Sequence, residues 1–477
     1  MKSIRIKNPR NLRDTGYVEI APITILVGRN NSGKSTFLRS FPLLKQSIIR
    51  NSDGPLLWFE DDNGFIDFGS FADAVRFDED RISFSFVFDM ESRFAEMKEE
   101  LRYTITIMHV DKDYVSEVTL EKNMGDKFAL LLQLNYDYDG SIAAKIGNDC
   151  FKMDPKKIRD RYFVKRMVYS PFTSIFGYIL PDPWILIGSF EDQAGDLSDL
   201  PNPKTLARIG ACLFNGIALE EYSIYLQEIM SNKTAQEQTW IKNMCIGLYY
   251  LDLLKDADQK LNETLRNVHY KSPIRATAAR YYRNRNIAVE EVDYRGENLA
   301  MYLNNLSKEK LHEFQEWTAA HFGFRIHVHG KGGHLSLTST IGERKRQINL
   351  ADVGFGISQI LPILVELWSL LVKPDSAIFL IEQPELHLHP ALQGKLVQVI
   401  TEIVMTAGNK LSIVMETHSK TFIEELGMEI DEKRLDKEKV KVVLFESEEN
   451  DSKVTVTSFD EFGYLERWPL VFLDAEF

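Results

Sequence analysis

The chain has 477 residues, of which 44% are hydrophobic and 27% charged, with a formal net charge of −13. That length exceeds one ordinary domain and supports two or three subregions with cores of their own. The acidity excludes a surface uniformly attractive to nucleic acid, and the three scattered cysteines (Cys150, Cys212, Cys245) exclude a disulfide framework and fit a reducing cytoplasm.

Residues 3–6, 17–20 and 23–27 read as short strands, and the first seven residues lack the apolar core of a signal peptide. The third strand runs into Gly28-Arg29-Asn30-Asn31-Ser32-Gly33-Lys34-Ser35-Thr36. The spacing of Gly28, four residues, Gly33, Lys34 and Ser35 is that of a phosphate-binding P-loop. Gly28 and Gly33 let the backbone turn sharply. The amides across Asn30, Asn31, Ser32 and Thr36 then form an anion nest at a helix N-terminus. Lys34 is placed to reach the β- and γ-phosphates of ATP, and Ser35 to hold Mg²⁺, a hard ion that prefers oxygen. A helix is predicted over 36–49, with Pro42 as a kink point.

From residue 81 the period changes to two. Stretches 81–89, 102–110, 115–122, 127–135 and 141–146 predict an antiparallel β lobe. Helical spacing follows over 204–219, 220–230 and 234–268, without the sustained heptads of a coiled-coil arm. A helix over 307–321 and strands over 324–329 and 334–338 return the chain to an α/β character. Two basic stretches, 156–166 and 275–285, contain aromatic residues. Solvated or salt-bridged faces account for both, with a local DNA groove as the alternative. The apolar run 357–372 contains Gln359 and Glu366, so it reads as a core helix and not a membrane span.

Three later motifs carry chemistry. Strand 377–381 ends in Glu382-Gln383-Pro384-Glu385, where a P-loop enzyme places its second metal-positioning group; Glu382 is the expected Mg²⁺ residue. Earlier, 349–359 is a glycine loop in which Gly356 and Ser358 open the apolar helix, a second phosphate-binding surface suited to a facing subunit. Last, strand 411–416 ends in Thr417-His418-Ser419, where a neutral His418 can hydrogen-bond a γ-phosphate.

This ordered set resembles the ABC-type ATPase heads, and more narrowly the branch shared by SMC, RecF-like and overcoming-lysogenization-defect ATPases. Within it, 354–362 and 382–390 look like ATPase subunits of anti-phage systems, with Septu-type and retron-associated ATPases the nearest comparison. The resemblance covers 1–75 and 270–425. It implies an α/β head split by an inserted antiparallel β lobe and a helical segment. It also implies a head-to-head dimer, or a higher oligomer, with nucleotide between the P-loop of one copy and Ser358 of the other. The expected segments are 1–78 and 272–427 for the two halves of the head, 79–150 for the β lobe, 151–271 for the helical insertion and 428–477 for a hairpin with an aromatic tail. His387 and His389 fall in the family's loop after the acidic strand, so they are not expected to ligate metal.

One departure matters. Such heads carry Asp-Glu where this chain has Glu382-Gln383. An amide can orient water but cannot take its proton, so hydrolysis is expected to be slow unless Glu385 serves as base. About sixty residues follow His418, too few for the Toprim domain of the lysogenization-defect nucleases. The function expected is an ATP-binding sensor or scaffold controlling a separate effector, an HNH nuclease or a toxin. The alternative is a RecF- or SMC-like repair ATPase that clamps DNA.

Overall fold

The computed structural model describes residues 1–50, 54–59, 64–91, 98–138, 141–146, 149–153, 174–176, 201–216, 220–231, 233–284, 288–342, 346–372, 376–448 and 451–468. The basic stretch 156–166 lies outside them, as does the end of the aromatic tail. The α/β class expected from the sequence is observed, and the chain forms two compact units.

One unit comprises Met1–Tyr17, Leu43–Asp61 and Asp67–Arg266. Its strands Ser3–Lys7, Arg81–Glu91, Lys98–His109, Asp113–Asn123, Phe128–Tyr136, Ile142–Ile146 and Asp149–Met153 pair antiparallel, each with the next. Alternation explains the sheet: in Ser3–Lys7 only Ile4 and Ile6 are buried. The first strand thus joins the β lobe, with Ser3 opposite Val87. The expected segment 1–78 is therefore shared between the two units, because pairing with a distant strand buries Ile4 and Ile6 and the local sequence does not encode it.

Helices Pro203–Asn215, Glu220–Met230 and Ala235–Arg266 complete this unit. The first is shorter than expected because Gly216, at φ 66, ends it in the left-handed conformation. The buried Asp258 accepts from Tyr103 Oη at 3.2 Å and from the Ile175 amide at 3.1 Å, tying the long helix to the sheet. Burial pushes its carboxyl up to about 6.

The other unit comprises Val18–Pro42, Asp62–Ile66 and Asn267–Phe477. Its six-stranded sheet has the order Val268–Lys271, Ala377–Glu382, Leu411–Glu416, Ile23–Gly28, Val440–Glu448, Asp451–Thr457. The first five strands are parallel and the last is antiparallel. Strand Ile23–Gly28 is buried along its whole length, as a strand flanked on both sides and covered on both faces must be. Two differences from expectation follow. Val268 begins a sheet strand rather than ending the long helix. The hairpin expected in the segment 428–477 supplies Val440–Glu448, which pairs directly with the P-loop strand. Any Cβ on Gly28 would lie 2.1 Å from the Phe445 carbonyl, so glycine is required there by packing as well as by the turn.

Helices Phe355–Val372, Pro390–Ala407 and Lys420–Asp431 pack their apolar faces on this sheet, around Ile25, Ile363, Leu364, Phe379, Ile413 and Leu444. Phe459 and Leu465 belong to the same core and the partly buried Trp468 packs against it, so the described part of the tail folds back, while Phe462 and Tyr464 stay exposed. No helix among the described residues is long and apolar enough to cross a membrane.

A buried ion network fixes the edge strand to helix Phe355–Val372. Lys271 Nζ donates to Glu366 Oε2 at 2.7 Å and to the Val292 carbonyl at 2.7 Å, and His269 Nδ1 lies 2.8 Å from Glu366 Oε1. Burial alone would raise the Glu366 carboxyl, but Lys271 and His269 outweigh it and hold it well below the ordinary carboxylate range. A carboxyl depressed in the fold stabilises above its ordinary value of 4.5, and that contribution is lost as pH falls below it. Stability measured by urea unfolding is therefore expected to fall on acidification, more steeply for the unaltered protein than for Glu366→Gln. Parallel slopes for the two proteins would refute the assignment.

Candidate functional site

The site is built where parallel strands end. Strands Ala377–Glu382, Leu411–Glu416 and Ile23–Gly28 lie side by side, with Glu382 opposite Glu416 and Glu416 opposite Leu26. Their C-terminal edges deliver Glu382, Glu416 and the P-loop to one place, as the topology of open α/β sheets directs.

The loop Gly28–Gly33 leads into helix Lys34–Ile49, which runs on through Pro42. Arg29, Asn30 and Asn31 are exposed at its tip, and Asn31 takes a left-handed φ of 61. Ser32, Gly33, Lys34 and Thr36 are buried. The Ser32 hydroxyl is fully buried with no hydrogen-bond partner among the described residues. Lys34 is 3% exposed and folds back onto the loop, donating to the Gly28 carbonyl at 3.0 Å and the Arg29 carbonyl at 2.7 Å. Burial lowers its pKa, with Glu416 opposing. An ammonium held there by neutral carbonyls is poised for an anion.

Ser35 and Glu382 were both expected at the metal, and in the structure they bond different groups. Ser35 Oγ donates to Glu416 Oε1 at 2.9 Å. Glu382, 2% exposed, is taken by other groups: Arg39 donates to both its oxygens at 2.8 Å, and Tyr270 Oη donates to Oε1 at 2.8 Å. Glu416 is 3% exposed, its Oε2 is buried without a partner among the described residues, and burial followed by the charge of Glu382 pushes its carboxyl up to about 6. A hydroxyl beside a buried carboxylate oxygen that lacks a donor is a set of hard oxygen ligands, and a Mg²⁺ ion fits it.

Gln383 follows the acidic strand at φ 43, a left-handed conformation unusual for a side chain with a Cβ. Two bonds hold it: its amide donates to the Glu416 carbonyl at 2.8 Å, and its carbonyl accepts from Arg275 Nη2 at 3.3 Å. Arg275 Nη2 also donates to the Glu382 carbonyl at 2.8 Å. Backbone strain held from two sides at a strand end is a mark of functional sites. Glu385 Oε1 accepts from the His418 amide at 2.7 Å, and burial raises the Glu385 carboxyl. His418 is half-buried; burial, then Lys34, lower its pKa and keep the imidazole neutral. Ser419 caps helix Lys420–Asp431, a structural task.

Gly356 and Ser358 open helix Phe355–Val372 as expected, but Ser358 is only 6% exposed and Gln359 2%. Ala351, Asp352 and Gly354 are exposed in this motif. His389 is exposed and caps helix Pro390–Ala407, its Nδ1 accepting from the Ala391 amide at 3.3 Å, which accounts for it without a metal. The basic stretch 275–285 is also redefined. Arg275 is 3% exposed and serves the acidic loop, while Arg280 pairs with Asp352 at 2.7 Å.

Sequence reasoning missed Arg39, Tyr270, Arg275 and Glu416. Arg39 had a signal, since it lies one helical turn beyond Ser35 on the same face. Glu416 had one too: like Glu382, it ends a buried apolar strand.

A family model described as an AAA ATPase domain matches residues 1–324 and 249–423. No curated protein matches the chain. Among solved structures it is similar to an Smc head domain with an extended coiled coil, bound to the C-terminal domain of ScpA, from Pyrococcus furiosus. That match has 11% identity over 96% of this chain and 96% of that chain, with a TM-score of 0.36. The SMC head domain from Thermotoga maritima matches at 10% identity over 95% and 97%, with a TM-score of 0.35.

Proposed function

Because the chain belongs to the AAA ATPase domain family AAA_15, we propose that it is an ATP-binding subunit of the ABC-like kind whose nucleotide state controls assembly. Two copies meet head to head, the P-loop of one facing the 354–358 loop of the other. The closed pair governs a separate effector, an HNH nuclease or a toxin, in cytoplasmic anti-phage defence. The observation that carries the nucleotide reading is the gathering of Lys34, Ser35, Gln383, Glu416 and His418 at the ends of adjacent parallel strands.

The residues divide the work. Lys34 meets phosphate charge with a buried ammonium. Mg²⁺, when bound, would offset the remaining phosphate charge, held by Ser35 with a strand-end carboxylate. Neutral His418 offers a ring N–H to a phosphate oxygen. Gln383 orients water without removing its proton. Such a site holds ATP longer than it turns it over, which suits a protein whose output is a conformational state coupled to a partner. The defence role is supported by the motifs at 354–362 and 382–390. Direct clamping of DNA by 275–285 has less support, because Arg275 is buried and Arg280 is paired.

Light scattering tests the assembly. A non-hydrolysable ATP analogue with Mg²⁺ is expected to double the mass of the purified protein. Gly354→Arg is expected to prevent the doubling without harming the fold, since Gly354 is exposed and nothing lies within 4 Å of a Cβ built there. An unchanged mass with saturating nucleotide overturns the facing-subunit arrangement. Co-expression with an adjacently encoded HNH nuclease or toxin tests the effector role: retention that ignores nucleotide would sink it.

A further inference from the structure

We propose that Glu416 is the carboxylate that holds the divalent cation of the bound nucleotide together with Ser35, and that Glu382 serves instead as the anchor of Arg39. The inference rests on the nucleotide-binding reading and assigns the metal within it.

Sheet order favours Glu416. Strand Leu411–Glu416 lies between Ala377–Glu382 and Ile23–Gly28. Glu416 therefore sits one strand nearer the P-loop than Glu382, a difference of about 4.8 Å. Ser35 Oγ already donates to Glu416 Oε1 at 2.9 Å, across 381 positions of sequence. Glu416 also has an unmet valence. Glu416 is 3% exposed, and its Oε2 is buried with no hydrogen-bond partner among the described residues. A buried carboxylate oxygen without a donor is costly, and a hard cation beside it removes that cost.

Glu382 presents the opposite case. Both its oxygens accept from Arg39, and one also accepts from Tyr270. To ligate a metal it would have to surrender a bidentate guanidinium, among the stronger charge-assisted arrangements available to a carboxylate. Arg39 follows Ser35 on the same helix face, so the Arg39–Glu382 pair fixes the P-loop helix against the acidic strand. Glu416 is then left to the cation. Ser35 needs only to turn its hydroxyl hydrogen elsewhere to ligate as a neutral oxygen.

Titration calorimetry of the full chain with a non-hydrolysable ATP analogue, in EDTA and in excess Mg²⁺, separates the two carboxylates. In the unaltered protein Mg²⁺ is expected to tighten binding about tenfold, equivalent to about 1.4 kcal/mol. Glu416→Gln is expected to keep the EDTA affinity and lose most of the Mg²⁺ gain, whereas Glu382→Gln keeps the gain. Glu416→Cys is expected to recover a gain with Cd²⁺ but not with Mg²⁺, because a thiolate selects the softer ion. Loss of the gain in Glu382→Gln, alone or equally with Glu416→Gln, overturns the inference. So does a full gain in Glu416→Gln. The Glu382→Gln arm decides even if the Glu416 variants do not fold. Absence of nucleotide binding by the unaltered protein in both buffers would defeat the proposed function instead.

Discussion

Lys34→Ala is expected to weaken ATP binding by roughly 10²–10⁴-fold, the loss of two charge-assisted hydrogen bonds at about 1.5–3 kcal/mol each. The structure gives the reason. The Lys34 ammonium is buried at 3% exposure, bonded among the described residues only to the Gly28 and Arg29 carbonyls, and burial has lowered its pKa. In this state the fold bears the cost of a desolvated cation that a polyphosphate would repay. Removing the cation removes that cost, so the nucleotide-free variant should be about as stable as the unaltered protein. The pairing of results matters: lost affinity with unchanged urea stability identifies a binding group. Calorimetry showing unchanged ATP affinity in Lys34→Ala would remove the organising role assigned to Gly28–Gly33.

The parts of the site legible in the sequence were those encoded by short spacing. Gly28, Gly33, Lys34 and Ser35 stand within eight positions of one another, and a strand running into that spacing has few other physical meanings. Glu382 was legible as a position, because a buried run ending in a carboxylate points to the end of a parallel strand. Its partners were not. Arg39 and Glu382 are 343 positions apart, and Tyr270 lies on an edge strand whose start at Val268 read as the last turn of a helix. Glu416 ended an identical kind of run and drew no assignment, since only the sheet order shows that its strand neighbours the P-loop. Strand Val440–Glu448 shows the same limit on the scale of the fold. Its alternation marked a hairpin, but nothing local says that the hairpin pairs with Ile23–Gly28 instead of standing apart. Burial of Ser358 was illegible too, because a serine at a helix start reads as exposed until the surrounding loops are placed.

Gln383→Glu is expected to raise steady-state phosphate release by roughly 10²-fold, the lower end of what a positioned general base contributes. The change is isosteric, and the backbone is held independently of the side chain: the Gln383 amide bonds the Glu416 carbonyl, and Arg275 bonds the Gln383 carbonyl. The left-handed φ of 43 should therefore persist, leaving the new carboxylate where the amide was. Only its ability to accept a proton is new. The acidic neighbours Glu382, Glu385 and Glu416 would raise its pKa and so improve it as a base, while Arg275 would lower it. The alternative base is Glu385, which has one oxygen on the His418 amide and the other buried without a partner among the described residues. The two candidates separate cleanly. If the unaltered protein already turns over rapidly, and Glu385→Gln abolishes that turnover while Gln383→Glu adds nothing, then proton removal belongs to Glu385. Slow turnover in the unaltered protein that accelerates in Gln383→Glu assigns the missing carboxylate to position 383. Slow hydrolysis would then be a property built into this chain by a single amide.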